Sequence, residues 1–186
     1  MLKSDLWIKR AVHNGIIKDA EDCLTYPVGI SKGVSSYGYD VTLSELKIYT
    51  GGLNDPIAQS SLDWTDLPKR CDHYWELPAR TFALGSTVES FDLPNNITGL
   101  VFPKSTYARC GLICYQTILE AGWAGQLTLE FFNPLDVPIR IWANGGIAQI
   151  LFFEGETGQM SYADRNGKYQ NQQGITLARV DHVASR

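Results

Sequence analysis

Short runs of strand-favouring residues, each bounded by turn signals, constrain the fold of this chain more than any other feature of its sequence. β-Branched and aromatic residues are enriched in these runs, and Gly, Pro, Asn, Asp and Ser cluster between them. Spacing of this kind predicts an all-β barrel or sandwich. The predicted strands cover residues 46–50, 73–77, 81–90, 97–102, 126–132, 137–142 and 147–153.

Two short helices are predicted beside the strands. Ser4 can cap an amphipathic stretch that stops at residues 14–15, an Asn-Gly pair. A second helix is predicted within residues 104–111, where Ser105 can act as the N-cap and Gly111 can end the last turn. Two stretches without a clear period are predicted to be long connections or an inserted flap, at residues 16–33 and 51–70.

The length and hydropathy pattern limit the class of protein. A chain of 186 residues suits one domain, predicted to cover residues 1–186. The longest uninterrupted apolar runs, such as residues 150–153, are far shorter than the ~20 residues that cross a bilayer, so no membrane span is predicted. The first residues lack the apolar stretch and cleavage site of a secretory signal, and we therefore expect a cytoplasmic protein.

Charge and cysteine usage exclude several kinds of ligand. Lys and Arg number 16 against 20 Asp and Glu, and the net charge of -4 provides no positive field to hold a nucleic acid. The 4 cysteines form no C-x-x-C pair and are predicted to be reduced thiols. None of the 3 histidines pairs with a cysteine or carboxylate at metal-ligand spacing, so no protein-bound metal, and no zinc in particular, is predicted.

The segment 103–111 combines the groups that bind phosphate. Lys104 and Arg109 are cations, Ser105 and Thr106 carry hydroxyls, and the start of a helix offers free backbone N–H groups. A serine-capped surface turn with solvated Lys and Arg has the same composition. Both interpretations stay open from these residues alone.

Glu130 stands in the middle of a predicted strand. Leu129 and Phe131 alternate with it, so Glu130 shares the opposite face with Phe132. Carboxylates are depleted from strands and are rarely buried without a partner, so this glutamate is either on a solvated face or in a site. Phe132 indicates that the face is covered, and cover would raise the pKa of Glu130 toward the range useful for proton transfer.

Several sequence blocks together are similar to the dCTP deaminase family, within the trimeric dUTPase superfamily. The resemblance spans nearly the whole chain in the order of the family. The main blocks are residues 104–112, 120–123 with 128–131, and 146–149, supported by 3–5, 35–40, 161–164 and 167–172. It implies a distorted β-barrel of the dUTPase-like type and a homotrimer with sites at subunit interfaces. It also implies that the C-terminal segment, about residues 160–186, closes over the nucleotide.

The resemblance assigns a role to each matching position. Glu130 matches the general base, while Ser105 and Arg109 match residues that hold the attacking water and stabilise charge near the base. The expected substrate-binding residues are Lys104, Thr106, Tyr107, Ala108, Glu120, Thr128, Leu129, Gln149, Tyr162, Lys168 and Gln172. Those that match triphosphate contacts are Lys104, Thr106, Tyr162, Lys168 and Gln172. Glu120 stands where many family members have Asp near the deoxyribose.

The implied reaction is hydrolytic deamination of dCTP to dUTP and ammonia, a step in thymidine nucleotide supply. Zinc deaminases carry an H-x-E and P-C-x-x-C signature that this chain lacks. Mg²⁺ is expected to arrive with the triphosphate. The resemblance also implies dTTP as a candidate inhibitor. For a viral chain, the expected cytoplasmic location would be the cytoplasm of the host.

Three alternatives stay open at this level. A plain dUTPase would lack the glutamate at position 130 and would usually carry a glycine-rich motif near the C-terminus. A bifunctional deaminase-dUTPase would release dUMP, ammonia and diphosphate; the short spacing between residues 116–117 and Glu120 favours dUTP instead. A non-catalytic nucleotide-binding or regulatory protein is the third.

Overall fold

The computed structural model describes residues 1–52 and 63–179, and all pairings between the named strands of this part are antiparallel. The helices of this described part are α1 (Asp5–His13) and α2 (Ser105–Arg109). Its first strands are β1 (Ile17–Lys18), β2 (Leu24–Thr25), β3 (Lys32–Val34), β4 (Tyr39–Val41), β5 (Leu43–Tyr49), β6 (Trp64–Asp66) and β7 (Tyr74–Leu77). The later strands are β8 (Phe82–Asp92), β9 (Ile97–Pro103), β10 (Ile113–Cys114), β11 (Ile118–Leu119), β12 (Ala124–Phe132), β13 (Ile139–Trp142) and β14 (Ala148–Glu154).

The strands form two larger sheets and one small one. The first sheet has the order β10-β12-β8-β5-β6, with β1 also paired to β8. The second has the order β11-β9-β14-β4-β3-β2, and β13 pairs with β7 in the third. Among the described residues, no helix has the length and hydrophobicity that crossing a membrane would require.

The core lies where the inward-facing residues of these sheets meet. On β12, Leu127, Leu129 and Phe131 are buried, while the residues between them are only partly covered. Gly85 of β8 lies opposite Leu129, and a Cβ there would come within 3.1 Å of the Phe131 ring. A larger residue here would crowd these side chains, so glycine lets β8 and β12 pack closely over the core.

The mainly β prediction is confirmed, and each predicted strand overlaps an observed one. The stretch 16–33 was expected to be a connection, but it contains β1, β2 and the start of β3. The stretch 51–70 contains β6, and its residues 53–62 lie outside the described part. These strands have only two or three residues each, too few to show an alternating pattern.

Both predicted helices are present, with one correction at a cap. The N-cap of α1 is Ser4, as predicted, although its hydroxyl makes no capping hydrogen bond. The N-cap of α2 is Lys104 rather than Ser105, because Lys104 keeps the extended backbone that follows β9 and Ser105 is already helical. Gly111 ends this helix in the left-handed region, with φ +87°.

Candidate active site

A cavity of about 930 Å³ opens on the β12 side of the first sheet. Its walls come from β12, from residues 116–123 and from the chain that follows residue 161. The predicted site residues that line it are Glu120, Thr128, Glu130, Tyr162, Lys168 and Gln172. Three separate parts of the sequence thus converge on one concave site, as ligand sites generally require.

Glu130 is placed in this cavity by the middle of β12, opposite Leu84 of β8. Trp64, Phe82 and Leu84 provide apolar wall next to it. Burial raises the pKa of Glu130 above its ordinary value of 4.5. Within residues 1–52 and 63–179 no Lys, Arg or His forms an ion pair with Glu130 that would oppose this effect. The predicted alternation of β12 and the raised proton affinity of Glu130 are both present.

The segment 161–178 forms one wall of the cavity and is hydrogen-bonded to β12. The Gln126 N–H donates to the Gln172 carbonyl at 2.9 Å, and Gln172 Nε2 donates to the Gln126 carbonyl at 2.7 Å. Gly125 has φ +137°, and a Cβ there would lie 2.8 Å from the Gln172 carbonyl oxygen. Glycine at this position lets the segment approach the strand closely.

Arg165 was missed by the sequence reasoning and lines the same cavity. Its guanidinium forms an ion pair with Glu120 and lies 5.1 Å from the centroid of the Tyr162 ring. The Tyr162 hydroxyl in turn accepts a hydrogen bond from the Tyr169 N–H at 3.0 Å. The only sequence signal is a cation three residues after Tyr162, which an exposed turn would also contain.

The other predicted site residues lie outside this cavity. Ser105, Thr106, Ala108 and Arg109 are exposed on and around α2, and none of them lines it. The remaining members are partly or fully covered within their own chain: Lys104, Tyr107, Leu129 and Gln149. In a single chain, the predicted site residues therefore do not meet in one place: some line the cavity, and others are exposed on a second surface, on and around α2.

Contacts within the chain account for the low exposure of the four covered residues. The Tyr107 hydroxyl accepts a hydrogen bond from the Trp142 N–H at 2.9 Å, which ties α2 to β13. Lys104 forms an ion pair with the buried Asp40, and Gln149 donates to the same carboxylate at 3.2 Å. The side chain of Leu129 belongs to the core.

The described residues provide no metal cluster. No group of three or more His, Cys, Asp and Glu side chains within residues 1–52 and 63–179 could hold a metal ion. The four cysteines are free thiols. Burial, with a smaller contribution from the nearby charge of Glu130, raises the pKa of Cys114 to about 12, so this thiol stays protonated.

Comparison with known proteins places the sequence in one group. A family model described as dCTP deaminase-like matches residues 2–155. A dCTP deaminase of Campylobacter curvus is 42% identical over 183 residues, which are 96% of this chain and 98% of that protein. A dCTP deaminase of Chlamydia trachomatis is 42% identical over 185 residues, which are 95% of this chain and 97% of that protein.

The fold is also similar to that of a solved structure. The crystal structure of 2'-deoxycytidine 5'-triphosphate deaminase from Agrobacterium tumefaciens matches with a TM-score of 0.61 and 20% sequence identity. The match covers 83% of this chain and 48% of that chain. At this identity the likeness supports the arrangement of strands, and the relatives above carry the functional comparison.

Proposed function

The chain belongs to the dCTP deaminase-like family and deaminates dCTP, and from that premise we propose that Glu130 activates the attacking water. The products are dUTP and ammonia. The observation that carries the proposal is a carboxyl group inside a cavity, partly desolvated and with its pKa raised. A base of this kind can both accept and return a proton near neutral pH.

The proposed reaction proceeds in two proton-transfer steps. Glu130 takes a proton from water while the water oxygen bonds to the amine-bearing carbon of cytosine. As the oxygen attaches, the electrons of the ring double bond between this carbon and N3 move onto N3. The protonated Glu130 then delivers its proton to the amine nitrogen, the N3 electrons re-form the double bond, the bond to the amine breaks and ammonia leaves. A tautomeric shift of the remaining hydroxyl proton to N3 gives the uracil ring. The balance is one water consumed and one ammonia released for each dCTP.

We propose that the complete site is shared between neighbouring copies of the chain in a homotrimer. Ser105 and Arg109 are exposed on one surface, whereas Glu130 lies in the cavity on another. A neighbouring copy can therefore supply the pair that orients the water and stabilises charge near the base. Exposed apolar side chains near the cavity support a shared site, because a neighbouring copy would bury them. Ile118 is 60% and Tyr115 48% exposed.

The triphosphate is proposed to bind cations from both copies. Lys168 lines the cavity, while Lys104, Thr106 and Gln149 belong to the second surface. Mg²⁺ is part of the substrate in this scheme, because it binds phosphate oxygens and water more readily than a dedicated set of protein ligands. Glu120 is proposed to face the deoxyribose, and its ion pair with Arg165 fixes the carboxylate at the cavity wall.

The C-terminal segment is proposed to close over the bound nucleotide as part of a single domain. Residues 161–178 already form a cavity wall, and Tyr162 and Gln172 lie within it. A cytoplasmic location completes the proposal, together with inhibition by dTTP, which the family resemblance implies.

Incubation of the protein with dCTP and Mg²⁺ tests the reaction. We expect ammonia and dUTP in equal amounts, separated and identified by chromatography, with diphosphate assayed in parallel. Absence of ammonia would leave a nucleotide-binding role instead. Release of dUMP and diphosphate in step with ammonia would establish the bifunctional alternative, for which Gln116 and Thr117 stand in the cavity wall.

A further inference from the structure

A buried polar cluster lies directly behind the exposed residues of α2. Its centre is Asp40 of β4, a carboxylate with 1% exposure. Lys104 Nζ forms an ion pair with Asp40 Oδ2, and the Ser31 hydroxyl donates to the same oxygen at 3.0 Å. Lys104 Nζ also donates to Ser31 Oγ at 2.6 Å. Two fixed acceptors thus hold the ammonium, and the Lys104 side chain is 12% exposed.

The second oxygen of Asp40 holds another proposed ligand-binding residue. Gln149 Nε2 donates to Asp40 Oδ1 and to the Ser35 hydroxyl, both at 3.2 Å. The backbone packs closely against this cluster, because a Cβ on Gly146 would lie 3.0 Å from Asp40 Cβ. A Cβ on Gly38 would lie 2.9 Å from the Gln149 side chain. Asp40 therefore connects three distant segments of the sequence.

We propose that Asp40 is a positioning residue for nucleotide binding, which holds Lys104 and Gln149 in the orientation that meets the triphosphate. This role rests on the proposed function. Asp40 is buried and acts through its two partners rather than by touching the ligand. A lysine ammonium has three N–H donors, and Asp40 with Ser31 occupies two, which leaves one for a phosphate oxygen. Holding a long side chain in advance reduces the conformational entropy lost on binding.

Equilibrium binding tests this role without turnover. Affinities for dCTP and for deoxycytidine are measured by calorimetry in a Glu130→Gln background. Adding Asp40→Asn should weaken dCTP about tenfold and deoxycytidine by less than about twofold. The matched control is the Lys3–Glu154 ion pair, where Lys3 is 13% exposed and neither residue lines the cavity. Glu154→Gln should change neither affinity.

A double-mutant cycle separates positioning from general destabilisation. Lys104→Met removes the cation through which Asp40 is proposed to act. In its presence, Asp40→Asn should weaken dCTP by far less than about tenfold, since the loss through Lys104 has already occurred and only the contact with Gln149 is left to lose. Additive losses would overturn the proposal, and so would equal losses for dCTP and deoxycytidine.

Asp40→Asn leaves a buried cation without its partner. If this change prevents folding, a milder variant provides the test. Ser31→Ala removes one acceptor of the Lys104 ammonium and leaves the ion pair intact. It should weaken dCTP about threefold or more with little effect on deoxycytidine, because Ser31 contacts both Asp40 and Lys104; an unchanged affinity for dCTP would refute the proposal that this buried cluster positions Lys104. If the chain with Asp40 and Ser31 intact binds no dCTP, the proposed function falls, and this role with it.

Discussion

Glu89 provides a prediction about stability that is independent of catalysis. This glutamate of β8 is 3% exposed and accepts hydrogen bonds from the Thr42 N–H at 3.0 Å and from the Thr42 hydroxyl at 3.1 Å. Burial outweighs these bonds and raises the pKa of Glu89 from 4.5 to about 7. The folded protein therefore holds a proton on Glu89 at pH values where the unfolded chain has released it.

The sign and size of the effect follow from proton linkage. Because the folded pKa is the higher one, the free energy of unfolding falls as the pH rises from 4.5 to about 7 and is constant above. At about 1.4 kcal/mol for each pH unit, the total fall is about 3 kcal/mol. Glu89→Gln keeps an acceptor for the Thr42 N–H and cannot ionise, so it should remove this fall.

Urea denaturation at one protein concentration measures the effect. Near pH 8 the Glu89→Gln variant should be more stable than the parent by up to about 3 kcal/mol, and near pH 5 the two should be almost equal. The exposed Glu156 provides the control, since Glu156→Gln should leave the pH dependence unchanged. A parent whose stability does not fall over this pH range, or a fall that persists in Glu89→Gln, would refute the reasoning.

Three further predictions concern the shared site. Lys168→Ala should raise the KM for dCTP roughly ten- to a hundredfold and leave deoxycytidine nearly unaffected, because a cation facing phosphate is lost; equal effects would contradict the phosphate role, and the exposed Lys18 supplies the control Lys18→Ala. Light scattering should give the mass of three 20.7 kDa chains. Mixing inactive Glu130→Gln and Arg109→Ala chains should restore about a quarter of the sites, and a mixture without any activity would count against sharing.

The strands of this fold could be predicted where local pattern decides the structure. The alternation of Leu127, Leu129 and Phe131 placed Glu130 on the opposite face of β12, which is what the structure contains. The strands β1 to β4, β6, β10 and β11 escaped prediction because pairing with neighbours, rather than their own short sequences, keeps them extended. The cap of α2 was misplaced by one residue because the extended backbone of Lys104 continues from β9.

The partial burial of Glu130 in the candidate site was predictable, but the contacts between distant residues were not. Partial cover of Glu130 followed from the neighbouring Phe132 on one strand. The pairing of Lys104 with Asp40 joins residues 64 positions apart, and Arg165 pairs with Glu120 across 45 positions. Such pairs form only when the chain folds, and no local sequence pattern predicts them. The division of the site residues between two surfaces likewise required the folded chain.

Ammonia release by the Glu130→Gln variant tests the central claim most directly. The amide keeps the shape of the side chain but cannot accept the proton of water, so deamination of dCTP should fall roughly 10²- to 10⁴-fold. The affinity for dCTP, measured by calorimetry, should stay within about twofold of the parent, since no binding group for phosphate is lost. A variant that retains more than about a tenth of the parent rate would show that Glu130 is not the base.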